Sequence, residues 1–439
     1  MKKRELNNKK FKIAIILITL LVFIGIIVYS VISTEEESKI IIIYHWWTSP
    51  SEKAALGGLI EVFNERYQNT TIIATPIAGG AGYAMIDIIK PLVIAGEAPD
   101  AFQMHAGYEA KPYYDAGLLD SIDDLWKSEN LEKVVPKQVQ TMCQFDGHYY
   151  SVPVDIHRAN LVWYNKKILD KNNITAESIN SWNSFFEACE KLKSAGIDYP
   201  IQMGKDWTAA HVFESIIASE GIDFYEDWIN GKVNSSDNQN LLNAFETFKI
   251  YLSYVNPDNA NLEWNQVNER IISGEGAFNI MGDWANGEFK LAGMIYGKDY
   301  GTIPVPNTKN MYGLVIDTFQ HPKGIGSSKS SYKWLRVVSS KEGQDVFNPI
   351  KGSISARIDT NLSKYDAYSQ KAIFDFINVN YMFPSVVHGS GAPEGFKVKL
   401  SEVVSNFILD LNKEKSAKEL TDYTNEIKEE YTIVWSLLD

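Results

Sequence analysis

Cysteine is nearly absent from this 439-residue chain, and Cys143 and Cys189 lie in separate segments with no CxxC pair. A disulfide-stapled scaffold is excluded. Two isolated thiols read as small buried hydrophobes, with a single bridge between them left open. The 7 histidines form no metal-ligand spacing. HExxH, GxSxG and P-loop motifs are missing too, so no familiar catalytic signature marks the chain. Positive charge is in deficit: the chain is formally −13, its first 33 residues are +5, and the remainder is therefore −18. Such a surface disfavours nucleic acid and anionic membrane as partners. Nor does any low-complexity tract or fixed-period repeat appear.

What is present is an ordinary globular composition, 45% hydrophobic and 22% charged, in a chain long enough for two or three units. The start stands apart. "MKKRELNNKKFK" carries six Lys/Arg and one Glu, and Ile13 to Ile32 is a charge-free run of 20 residues, long enough to span a bilayer once. The basic side is expected in the cytoplasm and the acidic "TEEES" outside. Val31 and Ser33 would make a tolerable cleavage site, but the length of the run favours a retained anchor.

After the anchor, short apolar strands alternate with amphipathic helices, which predicts an α/β architecture. "KIIIIYHWW" reads as a strand, "SEKAALGGLIEVFNERY" as a helix, "TTIIATPI" as a strand, and "AFQMH" as a short buried strand. Ligands in open α/β sheets bind beyond the carboxyl ends of strands, where Trp46, Trp47, Gln103 and His105 fall. Side chains alternate along a strand, so Trp46 and Trp47 cannot both enter one core, whereas Gln103 and His105 leave the same side. "SWNSFFEACEKLKSAG" predicts a helix capped by Ser181 and stopped by Gly196. Phe245, Phe248 and Tyr251 have helical spacing and read as core. Trp264 and Trp284 lie near helix boundaries beside polar residues, which suits a cleft.

The motifs "HWWTSPSE", "GEAPDAFQMHAG", "YYDAGLLDSID", "VPVDIHRANLVWYNK", "SGEGAFNIMGDWANGEF", "WLRVVSSKEGQDVFNPIKGSISAR" and "PSVVHGSGAPEGF" follow one another in this order. Together they resemble the extracellular solute-binding proteins of carbohydrate ABC importers, the family that includes maltose-binding protein. Within it the glucose- and mannose-binding members are most similar. The resemblance covers residues 40–439; it departs at Pro50, where the family more often has Gly, and at Ser355, where it more often has Pro.

The resemblance implies a two-lobed α/β fold with a hinge and an interlobe ligand cleft. It implies a tail, anchor and linker over 1–39, a first lobe from 40–151 and 305–360, and a second from 152–304 and 361–439. It implies a sugar site of Trp46, Trp47, Glu52, Gln103, His105, Trp264, Trp284, Asp317, Lys351 and His388. In that site Trp47 would touch the sugar, Trp46 would sit at the wall or in the core, and Trp264 and Trp284 would stack. Glu52 reads equally as a helix N-terminal charge, and Asp317 as a turn cap or hydroxyl acceptor. His157 with Arg158 is expected to brace the hinge. The function implied is capture of a glucose- or mannose-like monosaccharide by an extracytoplasmic, membrane-anchored monomer that delivers it to permease subunits. No catalysis, cofactor or metal is implied. An anchored sugar sensor is the alternative, and a glycoside hydrolase, which needs two carboxyls roughly 5–9.5 Å apart, a weaker one.

Overall fold

The computed structural model describes residues 19–20, 40–324, 328–433 and 435. The expected anchor, Ile13–Ile32, lies almost wholly outside them, and among the described residues no helix is long and apolar enough to cross a membrane.

Two α/β lobes share the chain. The first holds a five-stranded sheet in the order Thr71–Pro76, Ile40–His45, Ala101–His105, Asp317–Gln320, Ser151–Pro153. Its first three strands are parallel and are connected through the helices Pro50–Arg66 and Tyr83–Ala95, since a parallel pair needs a long crossover. Along "IIII" the pleat divides identical residues: Ile41 and Ile43 are fully buried, while Ile40 and Ile42 are exposed. The strand Asp317–Gln320 runs antiparallel to Ala101–His105, and its register sets Asp317 directly opposite His105.

The second lobe carries an antiparallel three-stranded sheet of Tyr300–Pro304, Leu161–Asn165 and Phe278–Ile280. A four-stranded sheet of Ile354–Ser355, Asp155–Arg158, Met311–Val315 and Tyr381–Pro384 stands between. The chain passes from the five-stranded to the four-stranded sheet through single residues. Val154 separates Ser151–Pro153 from Asp155–Arg158, and Ile316 separates Met311–Val315 from Asp317–Gln320. Both are fully buried, and the Val154 N–H donates to the Asp317 carbonyl at 3.0 Å, so the crossings lie side by side.

Local rules hold in the second lobe. The helix Trp182–Ser194 begins at Ser181, whose hydroxyl accepts from the Ser184 N–H, and Gly196 follows its end with φ of 91°. Phe245, Phe248 and Tyr251 are all fully buried, as their spacing predicts. Cys143 and Cys189 are buried free thiols, so the bridge does not form.

Candidate ligand-binding site

Where the lobes meet, a small cavity opens between them. Its walls differ in chemistry.

The wall on the five-stranded sheet is polar. Helix Pro50–Arg66 starts with Ser49 as cap and Pro50 in its first turn, which is compatible because the N–H that proline lacks would have no helical partner there. Glu52 closes the capping box: Oε2 accepts the Thr48 and Ser49 N–H groups at 3.0 and 3.1 Å. Its Oε1 pairs with Lys351 Nζ at 3.1 Å, and both residues line the cavity. Glu52 is thus a capping carboxylate that also lines the cavity. Lys351 ends the helix Lys341–Lys351, where a cation suits the dipole. Burial pushes its ammonium down, but Glu52 and Asp317 outweigh this and raise it.

His105 Nδ1 lies 2.8 Å from Glu109 Oε2, and its Nε2 is 3.6 Å from Asp317 Oδ1. His157 is held between carboxylates, with Nδ1 2.5 Å from Asp283 and Nε2 3.1 Å from Asp155. Burial pulls the His157 ring down, yet Asp155 and then Asp283 reverse this and raise it to about 10. Asp317 goes the other way: burial and the neighbouring Asp155 raise its carboxyl, against His105, His157 and Lys351. Asp155, His157 and Asp317 lie close enough to hold a divalent ion. With both His157 nitrogens engaged by carboxylates, however, the charged ring itself supplies the counter-charge there.

The opposite wall is aromatic. Trp207 and Trp264 are the first residues of the helices Trp207–Ser219 and Trp264–Ser273, and Trp284 directly precedes Ala285–Leu291. His388 sits among them, its ring centroid 4.9 Å from Trp284 and 5.6 Å from Trp207, with Nε2 3.3 Å from His211 Nδ1. Burial, with His105 and His211 close by, holds His388 well below the ordinary histidine range. Burial alone lowers His211 to about 4. These rings are neutral at ordinary pH. Gly80 completes the mouth: a Cβ there would stand 2.6 Å from Trp207 Nε1, and its φ of 58° also favours glycine.

Eight of the ten expected residues line the cavity: Trp46, Glu52, His105, Trp264, Trp284, Asp317, Lys351 and His388. Trp47 and Gln103 do not. Trp47 is fully buried, with Phe347 and Phe319 rings 4.6 and 5.7 Å away, and its indole N–H donates to Asp317 Oδ2 at 3.1 Å. The tryptophan facing the cavity is Trp46, its ring 4.7 Å from His105. Strand alternation requires that the two differ; it leaves open which one faces in. Gln103 stands behind the wall, where Oε1 accepts the Trp46 N–H at 3.0 Å. Sequence reasoning missed Thr48, Gly80, Ala81, Trp207 and Val315. Trp207 carries the same signal as Trp264, a tryptophan opening a helix, and "AGGAG" marks the 80–81 loop. His157 and Arg158 both make long-range ties, His157 to Asp283 and Arg158 to Asp375 and the Met311 carbonyl, and His157 also lines the cavity.

The sequence profile of bacterial extracellular solute-binding proteins matches residues 47–345, more than half of the chain. The chain belongs to that family. Its members bind rather than catalyse, and the family places the chain outside the cytoplasm. An ABC transporter extracellular-binding protein of Pyrococcus horikoshii is 39% identical over 377 residues, 85% of this chain and 84% of that one. A probable sugar-binding periplasmic protein of Rhizobium meliloti is 31% identical over 380 residues, 85% and 90% of the two chains. Among solved structures, a chitin oligosaccharide binding protein superposes with a TM-score of 0.79 at 18% identity, covering 90% of this solute-binding chain and 100% of its own.

Proposed function

We propose that the chain is the sugar-binding component of an ABC importer and captures a monosaccharide of the glucose or mannose type between its lobes. One observation carries the reading: a single cavity sets aromatic faces against directed hydrogen-bonding groups. A pyranose presents apolar C–H faces and a hydroxyl rim, so it needs both. The charged groups on the polar wall are already paired with one another, Glu52 with Lys351 and His157 with Asp155 and Asp283, which suits a neutral ligand. The monosaccharide part of the reading rests on the resemblance to glucose- and mannose-binding members of the family; the chitin-binding neighbour takes an oligosaccharide.

The strand exchanges at Val154 and Ile316 support two lobes hinged there, with 40–151 in one and 361–439 in the other. Sugar binds, the lobes close over it, and the closed form docks on permease subunits. The N-terminal run anchors a monomer at the membrane and raises its effective concentration near the transporter. Titrating the purified protein with glucose, mannose, galactose and xylose while following tryptophan fluorescence tests the proposal. Trp46, Trp207, Trp264 and Trp284 surround the cavity, so a saturable change is expected; no response to any mono- or disaccharide would sink it.

A further inference from the structure

Glu109 and Lys397 touch none of the cavity space, yet they lie beneath three of the segments that bound it. Glu109 Oε2 accepts the His105 backbone N–H at 2.6 Å and faces His105 Nδ1 at 2.8 Å. Its Oε1 accepts from Lys397 Nζ at 3.0 Å, and the same ammonium donates to the Ala81 carbonyl at 2.8 Å. Two glycines make room for this carboxylate. A Cβ on Gly82 would meet Glu109 Oε1 at 2.8 Å, and one on Gly389 would meet Glu109 Cβ at 3.0 Å. Those glycines adjoin Ala81 and His388, both on the cavity wall.

The partners come from different sides of the molecule. Glu109 follows the strand Ala101–His105 of the five-stranded sheet, whereas Lys397 belongs to the helix Glu394–Asp410, which packs on the helix bearing Trp207 and His211. Lys397 is fully buried, and its ammonium also stands 4.3 Å from the centre of the Tyr83 ring. A buried cation of this kind is costly unless its partners are in place.

We propose that Glu109 and Lys397 are a positioning pair, which orients His105 toward the ligand and clamps the 80–81 loop when the two lobes meet. Because Glu109 holds the Nδ1 edge of His105, the ring is turned so that Nε2 faces Asp317 and the cavity. Burial pushes the Glu109 carboxyl up, but Lys397 and His105 together bring it down to about 2, so it stays ionised. Separating the lobes would strip Glu109 of its cation and the 80–81 loop of its donor at once. Closure and the orientation of His105 are thereby linked.

The inference rests on the proposed sugar site, and two readouts keep the two apart. Full-length protein in detergent is compared with Glu109→Gln, Lys397→Met, Lys397→Arg and the Glu109→Gln/Lys397→Met double variant. D-glucose affinity is measured by calorimetry, and lobe separation by spin labels on the Pro50–Arg66 and Lys413–Glu426 helices. Each single variant is expected to weaken glucose by roughly tenfold or more and to shift the label distances outward. The double variant, which leaves no buried unpaired charge, is expected to be no worse than either single one, and Lys397→Arg to recover most of the affinity. Distances unchanged in both single variants, or strictly additive single effects, would overturn the pair. Should glucose fail to bind wild-type protein while the distances still shift, the pair stands and the sugar reading falls.

Discussion

On one side of the cavity Glu52, Lys351, His157 and Asp317 hold fixed charge in a buried network. On the other, Trp207, Trp264, Trp284 and His388 offer rings with no charge at ordinary pH. The first wall is aimed by sheet register, as when Asp317 is set opposite His105, and by backbone caps, as at Glu52. The second is aimed by the starts of three helices. The polar wall therefore fixes direction, which hydroxyls read, and the aromatic wall supplies contact area, which a sugar face reads.

The largest effect is expected where the polar wall loses a charge. Lys351→Met leaves Glu52 buried beside an apolar chain and should cost about 3–5 kcal/mol of stability in urea denaturation, with ligand affinity lost as well. An aromatic substitution should separate the two properties. Trp284→Ala is expected to reduce sugar affinity by about 2 kcal/mol, close to thirtyfold, in calorimetry. Its unfolding midpoint should move less than that of Lys351→Met; equal losses of stability would erase the distinction between the walls.

The walls should also part in pH. His211, lowered by burial to about 4, and His388, held lower than usual, are neutral when folded. The stability they contribute is full above the ordinary value of 6.5 and declines as pH falls from there toward 4. His157, raised to about 10, works in reverse: its contribution is full below 6.5 and is lost as pH rises toward 10. Denaturation midpoints across pH 4 to 10 should fall at both ends, with His211→Asn flattening the acid limb alone. The smallest effect belongs to Trp47→Phe, which keeps a ring between Phe319 and Phe347 but removes the donor to Asp317 Oδ2. A loss of about 1 kcal/mol is expected, and a loss rivalling Trp284→Ala would return Trp47 to the site.

Much of this was legible in the sequence, and the gaps have physical causes. Alternation of strand and helix patterns gave the α/β class, and ordered motifs singled out residues from 46 to 388 that the fold draws into one cavity. Hidden were the facts that depend on partners. "HWW" states that two neighbouring rings point apart, but the choice between them was made by Phe347, Phe319 and Asp317, far along the chain. Gln103 and His105 leave the strand on one side, yet Gln103 is spent on the Trp46 N–H. The single-residue exchanges at Val154 and Ile316 carry no mark beyond two ordinary apolar residues.

A calorimetric ladder of D-glucose, maltose and maltotriose tests the central claim most directly, because it asks both whether the two walls enclose a sugar and how many rings they admit. The account predicts saturable one-to-one binding of the monosaccharide, with affinity falling at each added ring. Maltotriose binding more tightly than glucose, or no heat from any of the three, would contradict it.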